Sequence, residues 1–195
     1  MEEENFLIIM NPENQISTLN RLAQAEKQIA WEQKMAEVNE IADQLGKGID
    51  EKIKEPVAAF LIHEFTTSGS CEGHMAQEGE DQHGLPYPWV EVYAPEPEGW
   101  EYSEEKKREW TVENFKQQQK MMRFLEEFYK ERQTPFDARL VFDGVGAFGG
   151  FRVQSFGAKM AAILTPEEQK QKLELYQTEM YDFTKFLKNR HFSKE

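Results

Sequence analysis

Two short runs of alternating apolar and polar residues, separated by a glycine-rich link, restrict the fold of this chain more than any other feature. The runs span residues 139–143 and 151–156, and four of the seven residues between them are glycine. A period of two is typical of β-strands, and a link of this kind joins antiparallel neighbours. The segment therefore predicts a β-hairpin that buries one of its faces.

The alternation also assigns the side chains of this hairpin to its two faces. The set that we expect in the core is Leu140, Phe142, Phe151 and Val153. The other face carries Arg139, Val141, Asp143, Arg152 and Gln154. The hairpin thus places two arginines on the side that faces away from the core.

A further strand is predicted at residues 89–93, between prolines. Its Val90 and Val92 fit the core, whereas Trp89 and Glu91 would join the arginine face. The residues Trp89, Glu91, Arg139 and Arg152 then form a surface suited to a small anionic ligand. The alternative is an ordinary sheet face that a helix covers through arginine–glutamate pairs.

Four longer segments show the three- and four-residue apolar spacing of amphipathic helices. They span residues 12–45, 50–63, about 103–132 and the stretch after Thr165. In the third segment, the expected apolar side consists of Val112, Phe115, Met122, Leu125 and Tyr129. With one more short strand near residues 66–70, this order predicts an α+β fold: a small, largely antiparallel sheet of about four strands, packed by about four helices, with a long N-terminal helix.

Two of the predicted helices carry start signals. Asp50 can cap the second helix, although Pro56 suggests that its regular part begins near Glu55. Thr165 and Glu168 fit a capping box for the last helix, with Pro166 in its first turn.

Length and composition favour a single domain over residues 1–195, with an N-terminal helical segment (1–46) and an α+β body (47–195). The lone cysteine and the acidic start at residues 2–4 predict a cytoplasmic protein, and no apolar run is long enough to cross a membrane.

The 36 acidic residues exceed the 23 basic ones, for a formal net charge of −13. This charge disfavours nucleic acid as a partner.

The main chemical lead is the stretch around Cys71, where three of the four histidines also lie: His63, His74 and His83. Cys71 and His74 have a Cys-x-x-His spacing that one turn can present to a metal, and His83 could return across the loop as a third ligand. We therefore expect a divalent cation such as zinc at Cys71, His74 and His83. The fourth position could be Glu72, Asp81, His63 or water.

Two alternatives remain open for the same stretch. Cys71 could be a catalytic nucleophile with His74 or His83 as its base, although the acidic neighbours disfavour a thiolate. Cys71 could also be a small buried apolar residue, with His74 as a hydrogen-bonded turn residue. The enzyme interpretation is a metal-dependent hydrolase or transferase with Cys71 and His74 as candidate catalytic residues.

The run Ser70-Cys71-Glu72-Gly73-His74, followed by Gly84-Leu85-Pro86-Tyr87-Pro88-Trp89-Val90, resembles small proteins of candidate-phylum bacteria that have no assigned activity. The resemblance covers mainly residues 41–95. It implies that this loop-and-strand unit recurs, and it implies no reaction.

The first helix suggests a rival class of function, a non-catalytic interaction protein with an acidic surface. Its apolar stripe spans roughly nine turns, which is longer than a domain of this size needs to cover its own core. We expect part of it to protrude or to pack against a second copy as a homodimer. The expected contacts are Ile16, Leu19, Leu22, Ile29 and Trp31.

Overall fold

The computed structural model describes residues 12–42, 46–75 and 85–193, with the backbone alone for residues 12–17 and 162. Within these ranges the chain forms four α-helices, four β-strands and three short 3-10 helices. The helices are α1 (Pro12–Glu40), α2 (Glu51–Ile62), α3 (Glu104–Phe128) and α4 (Pro166–Phe192). The strands are β1 (Thr67–Cys71), β2 (Trp89–Val92), β3 (Leu140–Val145) and β4 (Gly150–Ser155). The predicted α+β class is confirmed.

The four strands form one antiparallel sheet in the order β1-β2-β4-β3. Across the hairpin, Phe142 pairs with Val153 and Asp143 pairs with Arg152. Across β2 and β4, Val90 pairs with Val153 and Glu91 pairs with Arg152. Because directly paired residues point to the same face, this register confirms the two faces predicted from the alternation.

The helices cover the apolar face of the sheet and form one core with it. The sheet contributes Val90, Val92, Leu140, Phe151 and Val153. The helices contribute Trp31, Val38, Ile53, Val57, Phe60, Met121, Leu125, Met180, Phe183 and Leu187. Since the helices lie on this side, the face with Glu91 and Arg152 is turned away from the main core.

The face that α3 presents to the core agrees only in part with the one we predicted. Its buried residues are Trp110, Asn114, Gln117, Met121 and Leu125, whereas Val112, Phe115 and Met122 are each about half exposed. Asn114 Oδ1 accepts from the amide of Ala94 at 2.7 Å, and Gln117 Oε1 accepts from the amide of Thr66 at 2.8 Å. These side chains are buried because they satisfy backbone amides near β1 and β2. The prediction holds for Leu125, which is buried, and for Tyr129, which packs against the core, and it is wrong for Val112, Phe115 and Met122.

The α1 helix ends at Glu40, before the predicted limit near residue 45, and Ala42 instead bridges to Gly48. Trp31 is 6% exposed and packs in the chain's own core, so its predicted role as an intermolecular contact is wrong. Leu19, Leu22 and Ile29 are 64%, 56% and 53% exposed. The predicted contact Ile16 lies outside the described side chains.

The predicted start is confirmed for α4 and wrong for α2. The capping box of Thr165 and Glu168 is present in full, with Pro166 in the first turn. By contrast, α2 begins at Glu51 and continues through a buried Pro56, so the expected start near Glu55 is wrong. Among the described helices, none combines the length and the apolar character that a bilayer crossing needs.

Candidate functional site

A tight turn after β1 sets the directions of Cys71 and His74. Gly73, between them, has a φ of +89°, and a Cβ at this position would lie 2.9 Å from the carbonyl carbon of Tyr87. Glycine is the residue that fits such a conformation and such a close approach. The His74 amide donates to the Leu85 carbonyl at 2.8 Å, which ties the turn to the segment leading into β2.

The turn brings Cys71 and His74 together with Asp50, the residue before α2. One ligand atom from each of the three side chains lies within 4.8 Å of the other two. Asp50 Oδ2 and His74 Nε2 lie 2.9 Å apart. The predicted ligand His83 falls in residues 76–84, outside the described part of the chain. Within the described residues, the third candidate ligand beside Cys71 and His74 is therefore the carboxylate of Asp50.

Asp50 stands at the N-cap position of α2, but its side chain makes no capping hydrogen bond to that helix. Its Oδ2 atom faces His74 and lies 3.4 Å from the amide nitrogen of Glu72. Glu72 takes over the capping role, because its Oε2 accepts from the Lys52 amide at 2.9 Å. This exchange satisfies an amide at the start of α2 and leaves the Asp50 carboxylate facing Cys71 and His74.

The three side chains differ in their access to solvent. Cys71 is 5% exposed, whereas the side chains of Asp50 and His74 are 19% and 32% exposed. A groove of about 480 Å³ lies beside Glu72, between the start of α2 and α4. A second groove, of about 420 Å³, is lined by Asp50 itself and by Ser70. The cluster thus lies at the surface between two grooves, with its sulfur on the buried side.

Three of the four residues predicted for the sheet-face ligand site lie together. Arg152 Nε donates to Glu91 Oε2 at 2.8 Å, and the Arg152 guanidinium lies 4.1 Å from the centroid of the Trp89 ring. Arg139 precedes β3, roughly 13 Å along the strand from the position opposite Arg152. Its guanidinium lies 5.0 Å from the centroid of the ring of Tyr129, the residue after α3. The structure therefore separates Arg139 from the other three.

Tyr87 lies near both the sheet face and the turn. Burial raises the pKa of its phenol, and the positive charge of Arg152 partly opposes this rise. Asp143 and Cys71 also act on the pKa of Tyr87 through their charges. The main chain of Tyr87 lies against the turn, since a Cβ at Gly73 would be 2.9 Å from the Tyr87 carbonyl carbon.

His63, which we considered as a further ligand, lies at the opposite end of α2 from Asp50. Twelve helical residues separate the two, a distance of roughly 18 Å. His63 Nε2 bonds to the Leu187 carbonyl at 2.8 Å, its ring packs on Phe124, and burial lowers its pKa. His63 is a packing residue at this position.

Two parts of this site do not follow from the sequence. Asp50 was interpreted only as a helix cap, because its position before an amphipathic segment fits that role. Gln177 on α4 donates from Nε2 to the Glu72 carbonyl at 2.9 Å and so holds the turn from the other side. Both contacts join residues distant in the chain, and no local pattern marks such pairs.

Comparison with known proteins adds no further constraint on the site. The chain matches no protein-family model, no curated protein and no solved structure.

Proposed function

We propose that this protein is a metal-binding domain that holds a divalent cation, zinc by the chemistry of the donors, between Asp50, Cys71 and His74. The observation that carries this proposal is the convergence of a carboxylate, a thiol and an imidazole within 4.8 Å. These are the three side-chain types that bind zinc in proteins. They come from two separate segments, the start of α2 and the turn after β1.

The spacing of the three atoms suits a single small cation. In a tetrahedral site with bonds of about 2.0–2.3 Å, ligand atoms lie roughly 3.3–3.8 Å apart. The 2.9 Å contact between Asp50 and His74 would widen by a few tenths of an ångström when a cation replaces the proton between them. Cys71 Sγ lies within 4.8 Å of the other two ligand atoms, so it would approach them by at most about 1.3 Å.

The burial of Cys71 favours metal binding over catalysis by a free thiol. A nucleophilic cysteine must be reached by its substrate. Cys71 is 5% exposed, and its Sγ accepts from the Gly73 amide at 3.4 Å. A ligand sulfur, by contrast, is commonly enclosed by the protein.

Three protein ligands are the number found in catalytic zinc sites, where the fourth position is left to water. A cation held here would supply Lewis acidity and a bound water beside the groove of about 480 Å³. The reaction class that fits is hydrolysis or group transfer. The small anionic ligand predicted for the sheet face remains a prediction. Such a ligand would have to compete with Glu91, which is already paired with the Arg152 guanidinium.

Removing any of the three side chains should abolish tight zinc binding. We expect the purified protein to bind about one equivalent of zinc. The variants Cys71→Ser, His74→Ala and Asp50→Asn should each lose at least about 100-fold in affinity, more than the loss typical of an outer-shell residue. Calorimetric titration measures this affinity. Cobalt as a substitute should give a thiolate charge-transfer band that is absent from Cys71→Ser.

Two substitutions outside the site serve as matched controls, His191→Ala for the imidazole and Asp143→Asn for the carboxylate. Both should bind zinc as the unmodified protein does, and circular dichroism should show that every variant is folded. Equal zinc binding by the unmodified protein and the three site variants would contradict the proposal. So would the failure of the unmodified protein to take up zinc.

A second candidate function, self-association through α1, is supported by a separate observation. Leu19, Leu22 and Ile29, which we call the α1 stripe, are all more than half exposed. Three large apolar residues along one helix exceed the scattered exposure that is normal for a monomer. This candidate is a non-catalytic protein that acts through an intermolecular helix contact.

Self-association predicts a change in mass when the α1 stripe is made charged. The chain has a mass of 22.9 kDa, so light scattering or sedimentation should give twice this value for the unmodified protein. The double variant Leu19→Glu, Leu22→Glu should raise the dissociation constant by about tenfold or more. The control Gln28→Glu adds charge to the same helix and should keep the dimer. A monomer at every concentration tested would refute this candidate.

A further inference from the structure

The unexpected face of α3 creates a second exposed stripe. Val112, Phe115 and Met122, which we call the α3 stripe, are 47%, 51% and 49% exposed. We propose that the α1 stripe of one copy packs in parallel against the α3 stripe of a second copy. The proposal rests on the second candidate function and identifies the surface that α1 contacts.

The α1 stripe faces away from its own domain. Trp31, which packs in the core, is nine residues after Leu22, and nine residues correspond to about 180° around a helix. The core-facing side of α1 is also fastened to the end of α4, because Gln24 Nε2 donates to the Phe192 carbonyl at 3.0 Å. As far as the described residues show, the exposed side can therefore accept another helix without disturbing the fold.

The two stripes have the same spacing. In α1 the positions are Leu19, Leu22, Glu26 and Ile29, and in α3 they are Val112, Phe115, Gln119 and Met122. Each set advances by three, four and three residues, which is the a, d, a, d phase of a heptad. Each set has apolar residues at the first, second and fourth positions and a polar residue at the third.

Parallel pairing of α1 with α3 is the arrangement that places both polar residues in one layer. In that register Glu26 lies opposite Gln119, whose amide can donate to the carboxylate. Parallel pairing of α1 with α1 would oppose two Glu26 carboxylates, and antiparallel pairing would put Leu22 against Glu26. A single polar layer of this kind specifies register and partner in helix pairs.

The residues beside the stripes also fit each other. On α1 the flanking positions Ala23, Ala25 and Ala30 are small and allow close approach of the helices. On α3 the flanking Lys116 and Arg123 lie one turn before and after Gln119. Arg123 would lie beside Glu26 of the other copy, and Lys116, which pairs with Glu113 at 3.0 Å, would add its charge on the same side.

Cysteine cross-linking tests which helices meet. Glu26→Cys and Gln119→Cys are purified separately, mixed in equal amounts and oxidised mildly, and the disulfide is identified by peptide mass analysis. We expect a covalent dimer that joins the two variants, because a disulfide needs Cα atoms closer than about 7 Å. Neither variant alone should form it in quantity. Glu113→Cys, exposed on another side of α3, should not cross-link to Glu26→Cys.

Each other outcome overturns the proposal. Cross-linking of Glu26→Cys with itself would show α1 against α1, and that of Gln119→Cys with itself would show α3 against α3. Absence of cross-links in the mixture would show that these positions do not meet.

As a second measurement, Leu22→Glu and Phe115→Glu should each raise the dissociation constant by about tenfold or more. A Phe115→Glu variant that still dimerises fully would refute the α3 surface while leaving the α1 dimer intact, and zinc binding should be unchanged throughout.

Discussion

Replacing Glu179 with alanine is expected to lower the free energy of unfolding by about 3 kcal/mol. The Glu179 side chain is 4% exposed and lies on α4, where it faces the end of α3. It accepts hydrogen bonds from Tyr129 Oη at 2.9 Å, Arg132 Nη2 at 2.8 Å and Thr134 Oγ1 at 3.3 Å. The Tyr129 hydroxyl in turn accepts from the Leu140 amide at 2.7 Å. One carboxylate therefore joins α4, the end of α3 and the start of β3.

The physical reason for the loss is that each partner of Glu179 depends on it. The Glu179 carboxylate raises the pKa of the Arg132 guanidinium, and burial raises the pKa of the Tyr129 hydroxyl. Without Glu179, the Tyr129 hydroxyl loses this acceptor, and Arg132 keeps Asp182 as its one carboxylate partner among the described residues, together with its contact over the Phe128 ring. Removal of one partner from a buried ion pair costs about 3–5 kcal/mol, and the lower value applies here because Arg132 is 32% exposed.

Urea unfolding followed by circular dichroism measures this loss. The matched control is Glu113→Ala, which removes a glutamate whose Lys116 partner is three residues away on the exposed surface of α3. That pair is 52% and 65% exposed, so its loss should cost less than about 0.5 kcal/mol. If Glu179→Ala destabilised the protein no more than Glu113→Ala does, the network would not have the role assigned to it.

Local periodicity carried the prediction of the sheet. That Asp143, Arg152 and Glu91 share a face follows from alternation, because a shift of one residue would turn every apolar side chain of the hairpin outward. The capping box at Thr165 and Glu168 was likewise predictable, since all its atoms lie within four residues. Features that depend only on residues close together in the chain could thus be predicted from the sequence.

The face of α3 could not be predicted in the same way. Counting apolar residues favours Val112, Phe115 and Met122, but the buried positions include Asn114 and Gln117. Asn114 bonds to Ala94 and Phe148, and Gln117 bonds to Thr66. These polar groups are buried because distant backbone atoms need partners, and that need is not visible along the helix itself.

The candidate site was predicted in part. Cys71 and His74 are three residues apart in one turn, and the structure brings them together, as their spacing suggested. Asp50 joins them across more than twenty residues of chain, and it does so because Glu72 replaces it as the cap of α2. The replacement of Asp50 by Glu72 as the helix cap depends on how β1 and α2 pack, so no sequence motif predicts it.

Replacing Gly73 with alanine should both destabilise the fold and abolish zinc binding. A Cβ at Gly73 would lie 2.5 Å from Leu173 Cδ1, 2.9 Å from the Tyr87 carbonyl carbon and 3.1 Å from the Pro88 nitrogen. The leucine side chain can rotate, but the backbone before β2 cannot move without shifting the strand. Overpacking of this kind costs about 1–3 kcal/mol, and the φ of +89° adds about 1–2 kcal/mol for a residue with a side chain.

Alanine substitutions at two other glycines distinguish the cost of overpacking from the cost of the positive φ. Gly46 has a φ of +77°, but within the described residues no atom lies within 4 Å of a Cβ placed there, so Gly46→Ala should show the backbone cost alone. Gly144 has neither feature as far as the described structure reaches, and Gly144→Ala should change stability little. Urea unfolding should therefore rank the losses as Gly73→Ala, then Gly46→Ala, then Gly144→Ala.

Zinc titration of the same three variants connects the turn to the proposed site. Gly73 lies between Cys71 and His74, so a displaced backbone at Gly73 separates the thiol from the imidazole. Gly73→Ala should lose tight zinc binding even under conditions in which it is folded, while Gly46→Ala and Gly144→Ala should keep it. A Gly73→Ala protein that is as stable as Gly46→Ala and binds zinc normally would show that the turn does not hold the metal ligands in place.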